Sequence, residues 1–158
     1  MKRKRIGSAT DIAIMLEKDT NYTPPNKEDL VNFFKMNPSF DLGTDSIEEY
    51  IKYKPESFDN VSDVKSTKEL IKKIQRIYKI APTYEQMSIL MQDNLDSAQS
   101  ISNIGRNVFV GKYAKSFGDK EIAWIVYDNA LRVIANENAL RISEKPVVFF
   151  ASFTFICR

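Results

Sequence analysis

The sequence has no histidine, a single cysteine, five glycines and six prolines among its 158 residues. Without histidine, acid–base chemistry near neutral pH would depend on an Asp, Glu, Lys or Tyr with a shifted pKa. The lone cysteine, Cys157, excludes a disulfide within the chain and a zinc site built from Cys and His ligands. The scarcity of glycine and proline disfavours a turn-rich sandwich or barrel and favours helices joined by short loops.

Local patterns that mark a catalytic or cofactor-binding site are also missing. The sequence contains no glycine-rich phosphate loop, no Gly-x-Ser-x-Gly elbow and no metal-ligand spacing. Acidic pairs such as Glu48/Glu49 are typical of exposed charges at helix starts, where the helix dipole favours them. We therefore expect no enzymatic activity, no cofactor and no bound metal.

Charge is distributed unevenly along the chain, although the formal net charge is only +2. Residues 1–5 form a basic tip that we expect to be disordered, residues 6–63 are acidic, and residues 64–118 are basic. No apolar stretch of signal-peptide length follows the tip, so we expect no classical export signal. The overall charge is too small to indicate a nucleic-acid-binding protein.

Apolar residues at helical spacing predict an all-α fold, an irregular bundle of about six to eight helices with short loops. We expect one helical domain over residues 6–145, with N-terminal helices in 6–55 and the main bundle in 65–142. The polar stretch 56–63 is interpreted as a linker or loop.

The longest helix is predicted at about residues 119–141. Apolar side chains cover so much of its circumference that we expect it at the centre of the bundle, with Trp124 in the core. The clearest amphipathic helix is predicted at 66–79, where one apolar stripe faces a basic side.

Residues 146–158 form an apolar tail of a different kind. The run is too short to cross a bilayer, which needs about 20 apolar residues. Its β-branched and aromatic residues favour a strand, which would pair with the sheet edge of a partner or of a second copy, or else be an aggregation hazard. The candidate interaction residues are Val147, Phe149, Phe150, Phe153 and Phe155.

A second candidate site lies where a glycine joins two predicted short helices. Such a hairpin can present backbone amides and basic side chains to phosphates, as in helix-turn-helix modules. The second helix is largely apolar, so nucleic-acid binding is the alternative interpretation and a structural hairpin is favoured. The candidate contacts are Asn103, Gly105, Arg106, Lys112 and Lys115.

Several short motifs occur in a fixed order between residues 38 and 142. They are PSFDL at 38–42, IEEYI at 47–51, LIKKIQRIYKIAPTY at 70–84, LDSAQSI at 95–101, GRNVFVGKY at 105–113 and IVYDNA at 125–130. Their order and spacing resemble the A components of Tc (toxin-complex) insecticidal toxins and related bacterial proteins labelled "neuraminidase-like". The resemblance covers roughly two-thirds of the chain and stops near Ile142, where the apolar tail begins.

The resemblance implies a structural or protein-interaction module from a helical shell, and no sialidase activity. Such a module would act as a part, cargo or accessory of a bacterial toxin or injection assembly, with other subunits as partners. It would reside in the bacterial cytoplasm before assembly, and release or injection would need no classical signal peptide.

Overall fold

The computed structural model describes residues 8–143, which form eight α-helices and one short 3-10 helix. No strand occurs in this range, so the predicted all-α bundle is confirmed. The predicted basic tip and C-terminal strand both fall outside the described residues. The helices are α1 Ala9–Lys18, α2 Lys27–Met36, α3 Ile47–Tyr53, the 3-10 helix Pro55–Phe58, α4 Val64–Tyr78, α5 Tyr84–Gln92, α6 Ala98–Ile104, α7 Arg106–Phe117 and α8 Lys120–Ser143.

Side-chain caps set the starts of several helices. The Asp63 carboxylate accepts the Ser66 amide at the start of α4, and the Thr83 hydroxyl accepts the Gln86 amide at the start of α5. The spacing of Ser46 and Glu49 predicts a capping box at the start of α3, but this prediction is wrong, because the Ser46 side chain makes no capping hydrogen bond. A full capping box does open α6, where two serines (97 and 100) bond to each other's amides.

The stretch 56–63, interpreted as a linker, is part of the packed structure. Phe58 is buried, and its ring centroid lies 4.9 Å from that of Phe33 on α2. The Asp29 carboxylate accepts the amides of Ser62 (2.9 Å) and Asp63 (2.8 Å). The segment is polar in composition, but its few apolar residues and its backbone amides attach it to α2.

The C-terminal half is built around a helical hairpin formed by α7 and α8. Gly118 ends α7 with φ of 80°, a left-handed turn that reverses the chain. The Phe109 ring contacts Tyr113 on α7 and Tyr127 on α8, with centroids 4.7 and 5.6 Å apart. The Tyr127 hydroxyl donates to the Ser102 carbonyl at 3.1 Å, which also attaches α6 to α8.

The longest helix, α8, lies at the edge of the bundle, which corrects the predicted central position. It packs mainly against α6 and α7, and its buried residues are only Ala123, Val126, Tyr127 and Ala130. Trp124, predicted to be in the core, is 41% exposed. Every side chain from 135 to 143 is exposed. Apolar periodicity indicated which faces of α8 could be buried, but residues 8–143 supply packing neighbours for only one of them.

Candidate functional site

Two surfaces with exposed apolar side chains lie on opposite sides of α8. The first, which we call the Trp124 flank, consists of Trp124, Leu131 and Ile142, which are 41%, 38% and 71% exposed. Spacings of seven and eleven residues keep these side chains on one side of a helix with 3.6 residues per turn. The flank extends over about 27 Å of helix. Ile125, which is 53% exposed, lies away from this line.

The first residue of α7 holds the Trp124 ring in place. The Arg106 guanidinium carbon lies 4.6 Å from the Trp124 ring centroid and 5.7 Å from that of Tyr127. An Arg106 nitrogen also contacts the Asp128 carboxylate at 2.7 Å. The cation therefore stacks on the indole while its charge is balanced by Asp128. A Trp–Tyr–Arg group fixed in this way is typical of residues that dominate binding at protein interfaces.

The second surface, which we call the α8 groove, has a volume of about 370 Å³. It lies between the second half of α8, the start of α6 and the turn after α4. Leu140, at its mouth, is 64% exposed. Because Leu140 and Ile142 are two residues apart on one helix, they point to nearly opposite sides. The apolar lining residues are Ile80, Ala98, Val133, Ile134 and Leu140, and the polar or charged ones are Arg76, Lys79, Ser97, Gln99, Asn136 and Glu137.

The five residues predicted as nucleic-acid contacts lie on α6, on α7 and at the glycine between them. Arg106 is paired with Asp128, and the Lys112 ammonium lies 2.8 Å from the Asp93 carboxylate. Asn103 accepts a hydrogen bond from Gln99 on its own helix, and Lys115 is exposed. Gly105 joins α6 and α7 with φ of 82°, a positive value that favours glycine. Nucleic-acid binding stays a prediction, and two of its three cations already have carboxylate partners.

Lys112 belongs to a polar cluster with Asp93 and Tyr113 that attaches α7 to the α5–α6 loop. Hydrogen bonds from Lys112 and Tyr113 lower the pKa of Asp93 below its usual value. Burial and the hydrogen bond to Asp93 raise the pKa of Tyr113 to about 12. Both shifts keep the carboxylate charged and the phenol protonated at neutral pH, which suits a structural cluster.

The chain matches no known protein family, no characterised protein and no solved structure. The resemblance to Tc toxin A components therefore stays a prediction. Val147, Phe149, Phe150, Phe153 and Phe155 lie outside the described residues, so their predicted role in association also stays a prediction.

Within residues 8–143, no helix is both long enough and apolar enough to cross a membrane. No group of three or more His, Cys, Asp or Glu side chains in the same range is arranged to hold a metal ion.

The Trp124 flank could not be recognised as a surface from the sequence, because the apolar spacing of the longest helix predicts that Trp124 lies in the core. The sequence does contain one indication of this surface, a second apolar line on the longest helix. Packing of α6 and α7 against one side of α8 leaves that second line uncovered. The α8 groove has no comparable signal, because its walls come from three separate elements of the chain.

Proposed function

We propose that this chain is a non-catalytic protein-interaction module that binds a helix of another protein subunit along the Trp124 flank. The observation that carries the proposal is the exposed line of Trp124, Leu131 and Ile142 on one side of α8. Scattered exposed apolar residues are normal on any protein. An aligned set anchored by an Arg-stacked tryptophan is characteristic of an interface.

The shape of the flank favours an amphipathic helix as the partner element. The flank follows one side of α8 for about five helical turns, a form that a second helix covers by ridge-into-groove packing. A partner with an apolar stripe of similar length would bury all three side chains at once. A compact or highly charged surface would leave one end of the flank uncovered.

The order of the sequence motifs supports a bacterial toxin or injection assembly as the source of the partner subunit. It is the reason for proposing a relation to Tc toxin A components, in which the chain acts as a part, cargo or accessory of a bacterial toxin or injection assembly. The proposal includes residence in the bacterial cytoplasm before assembly, and release or injection without a classical signal peptide.

Site-specific photo-crosslinking in the native host tests the proposal. A photoreactive amino acid replaces Leu131 on the flank or, as the matched control, Ile125 on the same helix but off the flank. We expect the Leu131 position to give a defined adduct with another subunit, and the Ile125 position to give none. The partner, once purified, should shift the emission of Trp124, the only tryptophan in the chain.

Three results would contradict the proposal. An adduct of the chain with itself would identify a second copy as the partner, and equal adducts at both positions would show that the flank has no special role. A strictly monomeric protein with no adduct in host cells would remove the interaction function altogether. An adduct with a subunit unrelated to toxin or injection assemblies would retain the interface and refute the Tc relation.

A further inference from the structure

We propose that a phosphate dianion, free or as the terminal group of a small molecule, binds in a polar cavity between α4 and the loop that joins α2 to α3. This loop cavity has a volume of about 360 Å³, near the lower end of the range for small-molecule sites, about 300–1,000 Å³. None of the residues that line it is on α8, so the inference does not rest on the proposed function. Its walls include Thr44, Asp45, Ser46, Gln75, Arg76 and Lys79.

The loop side of the cavity is attached to α4 by one side chain. The Gln75 amide nitrogen donates to the backbone carbonyls of Leu42 (3.3 Å) and Asp45 (2.7 Å). Two carbonyl groups that would repel an anion are therefore already bonded to a donor. The Asp45 carboxylate, the negative charge on the loop side, accepts the backbone amide of Asp41 at 2.8 Å. The loop is thus closed on itself and held beside the last turns of α4.

Two exposed cations on the α4 side of the cavity have no carboxylate partner among residues 8–143. The Nε atom of Arg76 donates to the backbone carbonyl of Asp96 at 3.3 Å, which leaves both terminal nitrogens of the guanidinium available. Lys79 takes part in no ion pair or hydrogen bond within the same range. Side chains three residues apart on a helix are neighbours, so the two charges can act on one ligand.

The neighbouring cations on α4 are already neutralised, which favours a single phosphate over a long polyanion. Lys72, which also lines the cavity, and Lys68 both lie 2.8 Å from the Glu48 carboxylate. The unbalanced positive charge beside the cavity is therefore concentrated at Arg76 and Lys79. A nucleic-acid strand gains affinity by neutralising several phosphates along its length, and this requires a row of free cations. One phosphate group requires only the pair.

The donors around the cavity match a phosphate better than a carboxylate. The hydroxyls of Thr44 and Ser46, on the loop side, have no hydrogen-bond partner among the described residues. A phosphate carries close to two negative charges at neutral pH and at least three acceptor oxygens. The Arg76 guanidinium fits two of these oxygens, and the Lys79 ammonium supplies the second charge. A carboxylate has one charge and two oxygens, so it would leave one cation unbalanced.

The first test titrates the full chain with inorganic phosphate and, separately, with ribose 5-phosphate at constant ionic strength. We expect saturable NMR shifts at the Thr44 amide and the Arg76 Nε, and none at Leu30 in the core around α2. Tighter binding of ribose 5-phosphate would identify a phosphorylated small molecule as the ligand, and otherwise the ligand is phosphate itself. Absence of saturable shifts with both probes, or equal shifts with acetate, would overturn the inference.

The second test compares two double variants of equal net charge. Arg76→Gln with Lys79→Gln removes both cations of the cavity, whereas Lys65→Gln with Lys115→Gln removes two exposed cations that lie outside it. We expect the affinity for phosphate to fall by about tenfold or more in the first variant, and to change by about twofold at most in the second. Circular dichroism verifies that both variants keep their helices. Equal losses would show only general electrostatic attraction and would overturn the inference.

The third test removes the loop hydroxyls and leaves every charge in place. In the double variant Thr44→Val with Ser46→Ala, both positions are exposed, and the Ser46 side chain makes no capping hydrogen bond, so the stability should stay the same. We expect the affinity for phosphate to fall by about fivefold to tenfold, because two donors to a charged group are lost. An unchanged affinity would place the phosphate outside the loop cavity and would overturn the inference.

Discussion

The same substitution at two glycines should change the stability in opposite directions. Gly111 lies inside α7, and a Cβ built there meets no heavy atom within 4 Å; the same is true of Gly105, between α6 and α7. The two glycines are thus equally open sterically, and they differ in their backbone conformation. Gly105 has φ of 82° and ψ of 143°, a region that L side chains rarely adopt.

The magnitudes follow from backbone terms alone. Gly111→Ala removes the penalty of glycine in a helix interior, so we expect the free energy of unfolding to rise by about 1 kcal/mol, or about 2–4 °C in Tm. Gly105→Ala strains the backbone, so we expect a loss of about 1–3 kcal/mol.

Urea unfolding followed by circular dichroism and by the emission of Trp124 measures both changes. The midpoints should move apart while the slope of the free energy against urea concentration stays constant. A neutral Gly105→Ala variant would refute the assigned hinge conformation. A destabilising Gly111→Ala variant would show that the face of α7 at Gly111 is covered by another molecule in solution.

Three further substitutions test other parts of the structure. Arg106→Ala should lower the free energy of unfolding by about 1 kcal/mol and red-shift the emission of Trp124. Arg106→Lys should recover only part of both effects, because lysine keeps the charge but loses the planar stack on the indole. Full recovery by lysine would contradict the stacking role. Thr67 is fully buried, and its hydroxyl has no hydrogen-bond partner among the described residues. Thr67→Val should therefore raise the free energy of unfolding by about 1 kcal/mol, seen as a higher urea midpoint. A lower urea midpoint would show that the hydroxyl is hydrogen-bonded. Hydrogen bonds from Lys68 and Lys72 lower the pKa of Glu48 from 4.5 to about 2. The contribution of Glu48 to the free energy of unfolding is therefore present above pH 4.5 and is lost as the pH falls towards 2. Urea midpoints should fall more steeply over that interval in the wild type than in Glu48→Gln, and parallel curves would contradict the pairing.

Helices whose buried side forms one clean stripe could be predicted from the sequence. For α4, expected at 66–79 and observed at Val64–Tyr78, the apolar line at Ile71, Ile74 and Ile77 is fully buried. A single stripe needs only one packing partner, so local periodicity is enough to predict which side chains are buried. The helix begins two residues earlier than predicted because the Asp63 side chain caps it by accepting the Ser66 amide.

The candidate surfaces could not be predicted in the same way. Periodicity identifies apolar faces on α8 but does not say how many helices the rest of the chain can place against them. That number depends on the Gly118 turn, which directs α7 onto one side of α8, and on α6, which packs beside it. Trp124 was assigned to the core for this reason, and its cation–π contact with Arg106 joins residues 18 positions apart.

Removing residues 146–158 tests the prediction that this apolar segment is an assembly element. If it is, a chain of residues 1–145 should have a smaller average mass than the full chain, because the segment that would pair with a partner or a second copy is gone. All eight described helices lie within residues 1–145, so the helicity by circular dichroism should be retained. Light scattering coupled to gel filtration measures the mass of both chains, and an unchanged average mass for 1–145 would refute assembly through residues 146–158.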